Sequence, residues 1–157
     1  MIVHLLRHAK TEVFSNTGKD FDRKLAPKGH QQCLELKALL SKVMGEETKI
    51  FSSSARRTRE TARFIFDDQQ EILFFDELYL VGKDDLMAFI SNREEVKEIL
   101  IIGHNFGISE LASYYTGEQI LLKTGGFVSI DFPDFSVNEL SASIGIIKAN
   151  HRCTIDY

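Results

Sequence analysis

The chain begins with an apolar run, Ile2-Val-His-Leu-Leu6, that stops at Arg7-His8-Ala9, a cation beside an imidazole. Two further apolar runs end in the same manner. Lys49-Ile-Phe51 leads into Ser52-Ser-Ser-Ala-Arg-Arg57, and Glu98-Ile-Leu-Ile-Ile102 leads into Gly103-His104-Asn105. Arginine presents a fixed fork of donors that matches phosphate oxygens two at a time. Histidine is substantially unprotonated near neutral pH and can act as a nucleophile, and a second imidazole can donate to a phosphoryl oxygen. Gly103 permits a tight turn beside His104. A helix beginning near Ala55 would add amides and a dipole suited to an anion. Gathered in one place, these residues are equipped to handle a phosphoryl group.

The neighbouring residues have plainer readings. Arg56, Arg59 and Arg63 read as a solvated helix face. Ser52, Ser53 and Ser54 lack the G-x-S-x-G surroundings of a serine nucleophile and read as loop and helix-cap residues. His4 lies inside a strand and reads as structural, Cys33 as core, and Thr124-Gly-Gly126 as a turn before a closing strand. The spacings of His4, His8 and His104 match no zinc signature, so neither a metal nor a cofactor is expected.

The three motifs can meet only if the elements before them are parallel strands. The sequence predicts strands over residues 2–6, 49–51, 72–75 and 98–102. Helical spacing of apolar residues predicts helices over 31–43, 55–66, 84–91 and 106–115, the last ended by Gly117. Residues 127–132 and 142–148 read as closing strands, and 16–23 as a loop. Strands alternating with helices give an α/β fold, a three-layer α/β/α sandwich around a mostly parallel sheet. In such sheets ligands bind at the carboxyl edge, where all three motifs fall.

Composition sets wider bounds. The 157 residues are 43% hydrophobic and 27% charged, which suits one domain, 1–157, with a real core. The net charge of −4 argues against a general nucleic-acid binder. No apolar run is long enough to span a membrane and the N-terminus shows no signal peptide, so a cytoplasmic location is expected. The only cysteines, Cys33 and Cys153, form no disulfide framework.

Arg7-His8-Ala9, Ser52-Ser-Ser-Ala-Arg-Arg-Thr-Arg-Glu-Thr-Ala62 and Gly103-His104-Asn105, in this order, resemble the histidine phosphatase, or phosphoglycerate mutase-like, superfamily. Arg-His-Ala-Lys10, Asp20-Phe-Asp-Arg-Lys-Leu25 and Asp76-Glu-Leu-Tyr79 look most like its SixA-type phosphohistidine phosphatases. Lys24 and Ser54 depart from that pattern, which often has proline at both positions. The resemblance implies a phosphoglycerate mutase-like fold and a phosphatase that forms phosphohistidine on His8. Arg7, Arg57 and His104 would be catalytic and hold the phosphoryl oxygens. Arg57 is chosen over its neighbours because it stands four residues before Thr61. Arg23 would be a further substrate contact, and Glu77 the general acid if one is used. The short chain leaves no room for a large lid, which suits a phosphohistidine on a signalling protein. A small-molecule phosphomonoesterase and a phosphoprotein-binding module without turnover remain as alternatives. The oligomeric state is left open.

Overall fold

In a computed structural model, which describes residues 1–155, the parallel strands form one side of a six-stranded mixed sheet. The strands are β1 (Ile2–Arg7), β2 (Lys49–Ser53), β3 (Ile72–Phe75), β4 (Glu98–Gly103), β5 (Phe127–Asp131) and β6 (Ile146–His151). Their order is β3-β2-β4-β1-β5-β6. The first four are mutually parallel, β5 runs antiparallel to β1, and β6 antiparallel to β5. The architecture is α/β with both faces of the sheet covered. Helices α1 (Pro27–Val43) and α2 (Arg56–Ile65) pack together on one face, α3 (Lys83–Ser91) and α4 (Gly107–Thr116) on the other.

This double cover explains the unbroken apolar strands. Side chains alternate across a sheet, so a strand buried on both faces has no polar side. Val3 and Leu5 of β1 join Ile99 and Ile101 of β4 beneath α3 and α4, with Leu86, Phe89, Ile108 and Leu111. Leu6, Leu100 and Ile102 face the other way, onto Leu36 and Leu40 of α1 and Ala62 and Ile65 of α2. His4, the polar exception in β1, is buried and resolves as expected. Its Nε2 lies 2.7 Å from Glu98 Oε1 and its ring stacks on Phe127.

Three elements differ from the sequence reading by two residues or more. Helix α1 begins at Pro27, four residues early, because proline is well suited to a first helical turn, where its missing N–H has no partner to lose. Ser52 and Ser53 belong to β2 and are fully buried, because Ser53 pairs with Phe75 of β3 and extends the ladder. The last strand starts at Ile146 rather than Ala142, because Ser143 (φ 61°) turns the chain and Gly145 N–H donates to Tyr115 O. Gly117 ends α4 in the left-handed conformation (φ 73°).

The parallel ladder fixes where the motifs land. Arg7 pairs with Gly103 and Ser52 with Ile102, so His8, His104 and the Ser53–Arg57 segment leave the sheet side by side. Helix α1 is held against the chain just beyond His8, where Ala26 N–H donates to Lys10 O. A Cβ on Gly29 would lie 2.1 Å from the same carbonyl. Gly29→Ala must therefore move backbone rather than a side chain. It is expected to cost about 1–3 kcal/mol of unfolding free energy in urea titrations, in the range of overpacked cores.

Candidate active site

His8 is the centre of the site and is only 5% exposed. Its Nδ1 lies 2.8 Å from the carbonyl of Ala9, which can only accept, so Nδ1 carries the proton. The lone pair is thereby left on Nε2, where Arg57 Nε–H donates to it at 3.2 Å. The ring is neutral. Burial is the main reason its pKa lies well below the ordinary histidine value. The neighbouring His104 and the charges of Arg57 and Arg7 push the same way, against the Ala9 hydrogen bond.

Arg57 reaches His8 from the first turn of α2 and is 2% exposed. Its Nη1 donates to the backbone oxygen of Asp20 (2.8 Å) and its Nη2 to Asp20 Oδ2 (2.9 Å). Thr61, one turn on, accepts the Ala9 N–H on Oγ1 (3.1 Å) and donates to Arg57 O (2.7 Å). The four-residue spacing thus ties α2 to the loop after His8 and faces Arg57 and Thr61 the same way. Arg56 is exposed and pairs with Glu60. Arg59 and Arg63 are away from the pocket too, but they lie over the Phe74 ring rather than being simply solvated.

Arg7 donates from Nη1 to Leu122 O (3.1 Å), while its buried Nε has no partner. Burial and the charge of Arg57 lower its pKa. Two guanidinium groups near one another, only one of them paired with a carboxylate (Arg57 with Asp20), make a pocket that favours an anion. His104 packs beside His8, ring centroids 5.3 Å apart. Its Nε2 is 2.8 Å from Ser53 Oγ, which already accepts the Ala55 N–H. The Ser53 hydroxyl then donates to His104 Nε2, leaving the buried, unpartnered Nδ1–H as a donor for a phosphoryl oxygen. The His104 pKa falls to about 3, first through burial and then through Arg57. Among the described residues, four buried side-chain polar atoms lack a hydrogen bond, and two of them, Arg7 Nε and His104 Nδ1, belong to this pocket.

Three residues that sequence reasoning did not place in the site complete it. Asp20 sits on a 3-10 turn (Asp20–Asp22), where it receives Arg57, Arg23 Nε (3.0 Å) and the Tyr79 hydroxyl (2.5 Å). Partial burial alone would raise its pKa; the bonds from Tyr79, Arg57 and Arg23 outweigh this and bring it to about 2. Tyr79 also meets His104 edge-on, at 5.4 Å. Ser53 is the third, hidden in a run of three serines. The Asp20-Phe-Asp-Arg and Asp76-Glu-Leu-Tyr79 segments both carried a signal in the sequence, but the residues they singled out were Arg23 and Glu77.

The structure brings Arg7, His8, Arg57 and His104 together. Arg23 stands one residue removed: it is linked to Arg57 through Asp20, and its Nη1 bonds Thr11 Oγ1 and Glu12 O. Glu77 lies on the 3-10 turn after β3. It is exposed, in a groove with Val81, Asp85, Ala88 and Phe89, and makes no hydrogen bond to the four pocket residues.

Known proteins resemble this chain in sequence and in fold. The family description "Histidine phosphatase superfamily (branch 1)" matches residues 3–78. A chloroplastic, uncharacterized protein of Arabidopsis thaliana is 30% identical over 133 residues, 76% of this chain and 61% of its own length, so the chain spans less than two thirds of that relative. A structure of a proposed phosphohistidine phosphatase SixA from Nakamurella multipartitia superposes with a TM-score of 0.84 at 19% identity, covering 98% of this chain and 96% of that one. The protein histidine phosphatase SixA complexed with tungstate gives 0.78 at 16% identity, with 96% of each chain covered. At these identities the structures establish a common fold.

The buried histidines couple stability to pH. His4, His8 and His104 all have lowered pKa values in the folded protein. Below about 6.5 the unfolded chain takes up protons that the folded one refuses. Stability is therefore complete above that pH and is lost as pH falls, for His104 down to about 3. Each group steepens the loss by up to about 1.4 kcal/mol per pH unit. Urea midpoints between pH 7 and 4.5 are expected to fall, and His104→Asn to flatten the slope by up to one proton.

Proposed function

We propose that the chain is a histidine phosphatase, as the family match over residues 3–78 and the shared fold support, and that it hydrolyses phosphohistidine on a signalling protein through a phosphohistidine on His8. One observation carries this reading: a neutral His8 with its lone pair on Nε2, set against Arg57 among donors that lack acceptors.

Two displacements follow. His8 Nε2 attacks phosphorus in line, the bond from phosphorus to the donor nitrogen breaks, and the departing imidazole keeps that electron pair and a proton. Water then attacks phospho-His8. The P–Nε2 bond breaks, its electron pair returns to Nε2, the water proton passes to solvent, and inorganic phosphate leaves. Arg7, Arg57 and His104 hold the equatorial oxygens throughout, the main requirement of phosphoryl transfer. Two guanidinium groups supply the positive charge that a metal would otherwise provide. Arg23 acts one step back, by fixing Asp20 and through it Arg57.

The leaving group is the next question. An alkoxide needs a proton from a general acid, whereas a protonated imidazole leaves unaided. Asp20 is ionised and cannot donate, and Glu77 lies exposed in another groove. Both observations favour a P–N bond. The mouth of the site favours a protein. Phe14 (84% exposed), Phe106 (71%), Leu121 (58%) and Leu80 (52%) all lie in loops at the catalytic edge of the sheet. Apolar groups around a cationic floor suit a partner surface that presents one phosphoryl group. No helix among the described residues is long and apolar enough to cross a membrane, and a cytoplasmic setting fits this reading.

Phosphate release from a histidine-phosphorylated protein and from a simple phosphomonoester tests the reading. The P–N donor is expected to be preferred. His8→Ala should abolish release, and Arg57→Ala should lower kcat about 10²–10³-fold, as for other lost transition-state donors. Turnover of the ester alone, with strong dependence on Glu77, would instead make the chain a small-molecule phosphatase. A folded protein that turns over neither, yet binds a phosphorylated partner equally well as His8→Ala, would be a binding module.

A further inference from the structure

Outside the pocket, Glu35, His151 and Cys153 each place a donor atom within 4.8 Å of the other two. Strand β6 ends at His151, and a spacing of two carries the Cys153 side chain back to the same side of the chain. Glu35 meets both from α1. Its Oε2 is held by Thr154 Oγ1 (2.8 Å) and by the Thr154 N–H (3.1 Å). Its Oε1 lies 2.8 Å from His151 Nε2, which is buried and not aligned for a hydrogen bond. Cys153 is 3% exposed.

The geometry points to a binding site for a divalent cation of the zinc class, held by Glu35 Oε1, His151 Nε2 and Cys153 Sγ, with water as the fourth ligand. Thiolate, imidazole and carboxylate together suit such an ion. Bond lengths of about 2.0–2.3 Å in a tetrahedron put the donors about 3.3–3.8 Å apart. Small side-chain rotations reach that spacing, with the His151–Glu35 pair opening by about half an ångström. Thr154 supplies the outer hydrogen bonds that orient a ligating carboxylate. On binding, the Cys153 S–H bond breaks, its proton passes to solvent, and the sulfur lone pair forms the bond to the cation.

The cation would not touch the substrate. The Cys153 thiol lies 3.4 Å from Gly125 O, and Gly125 N–H donates to His8 O at 2.9 Å, so the cluster sits behind the catalytic segment. The expectation of a metal-free reaction is unaffected. The cation's place is structural: it would tie the chain after β6 to α1.

Titration of Co²⁺ into the full chain, followed by visible and near-ultraviolet absorption, is the test. One equivalent should give a thiolate-to-cobalt charge-transfer band with tetrahedral visible intensity, and Zn²⁺ should displace it. Cys153→Ser should lose the band. His151→Gln and Glu35→Gln, which keep the thiol, should each weaken binding at least tenfold. Metal-free circular dichroism melts identify any variant that fails to fold, and the remaining variants then decide. No band with the folded wild type, or a band that survives in Cys153→Ser, would overturn the site. Unchanged affinity in both thiol-retaining variants would make Glu35–His151 a simple ion pair and overturn it as well.

Discussion

A histidine walled in beside two arginines does not take up a second proton, and most of the structure around it serves to keep it there with its lone pair pointing the right way. His8 loses solvent on every side, and each neighbouring charge is positive. The Ala9 carbonyl accepts from Nδ1 and thereby leaves the lone pair on Nε2. That carbonyl is in turn fixed, because the Ala9 amide is tied to Thr61 on α2 and the following residue to α1. A nucleophile of this kind has little tolerance for movement. Two helices and two strands hold its loop.

The same arrangement leaves an electrostatic deficit. Arg57 is buried and Arg7 half-buried, and among the described residues Asp20 is the carboxylate that pairs with Arg57. Asp20 is held by Arg23 and Tyr79 as well, so its loop is drawn towards the pocket although the chain before it is polar. The unpartnered Arg7 Nε and His104 Nδ1 mark what is missing. The oxygens of a bound phosphoryl group would supply acceptors for both. Fold, charge and hydrogen-bond deficit therefore all converge on one kind of ligand.

Much of this could be read from the sequence, for reasons that can be stated. Strands that end in polar motifs were visible because burial on both faces makes them continuously apolar, and parallel pairing then forces their ends together. Arg57 stood out from Arg56, Arg59 and Arg63 through its spacing to Thr61. Asp20 and Tyr79 were hidden because their contacts depend on two loops that meet only after the sheet has formed. Ser53 was hidden because buried serine in a strand is indistinguishable, by composition, from serine in a turn. Glu77 shows the opposite case: its place after β3 was legible, but the direction in which its side chain points was not.

The central claim is chemical and regiospecific: His8 attacks through Nε2. Rapid acid-free quenching during turnover of a histidine-phosphorylated protein, followed by ³¹P NMR and peptide mapping of the enzyme, tests it most directly. The account predicts a transient phosphoryl group on His8, bonded to Nε2. Phosphate on His8 Nδ1, or on His104 instead of His8, would contradict it.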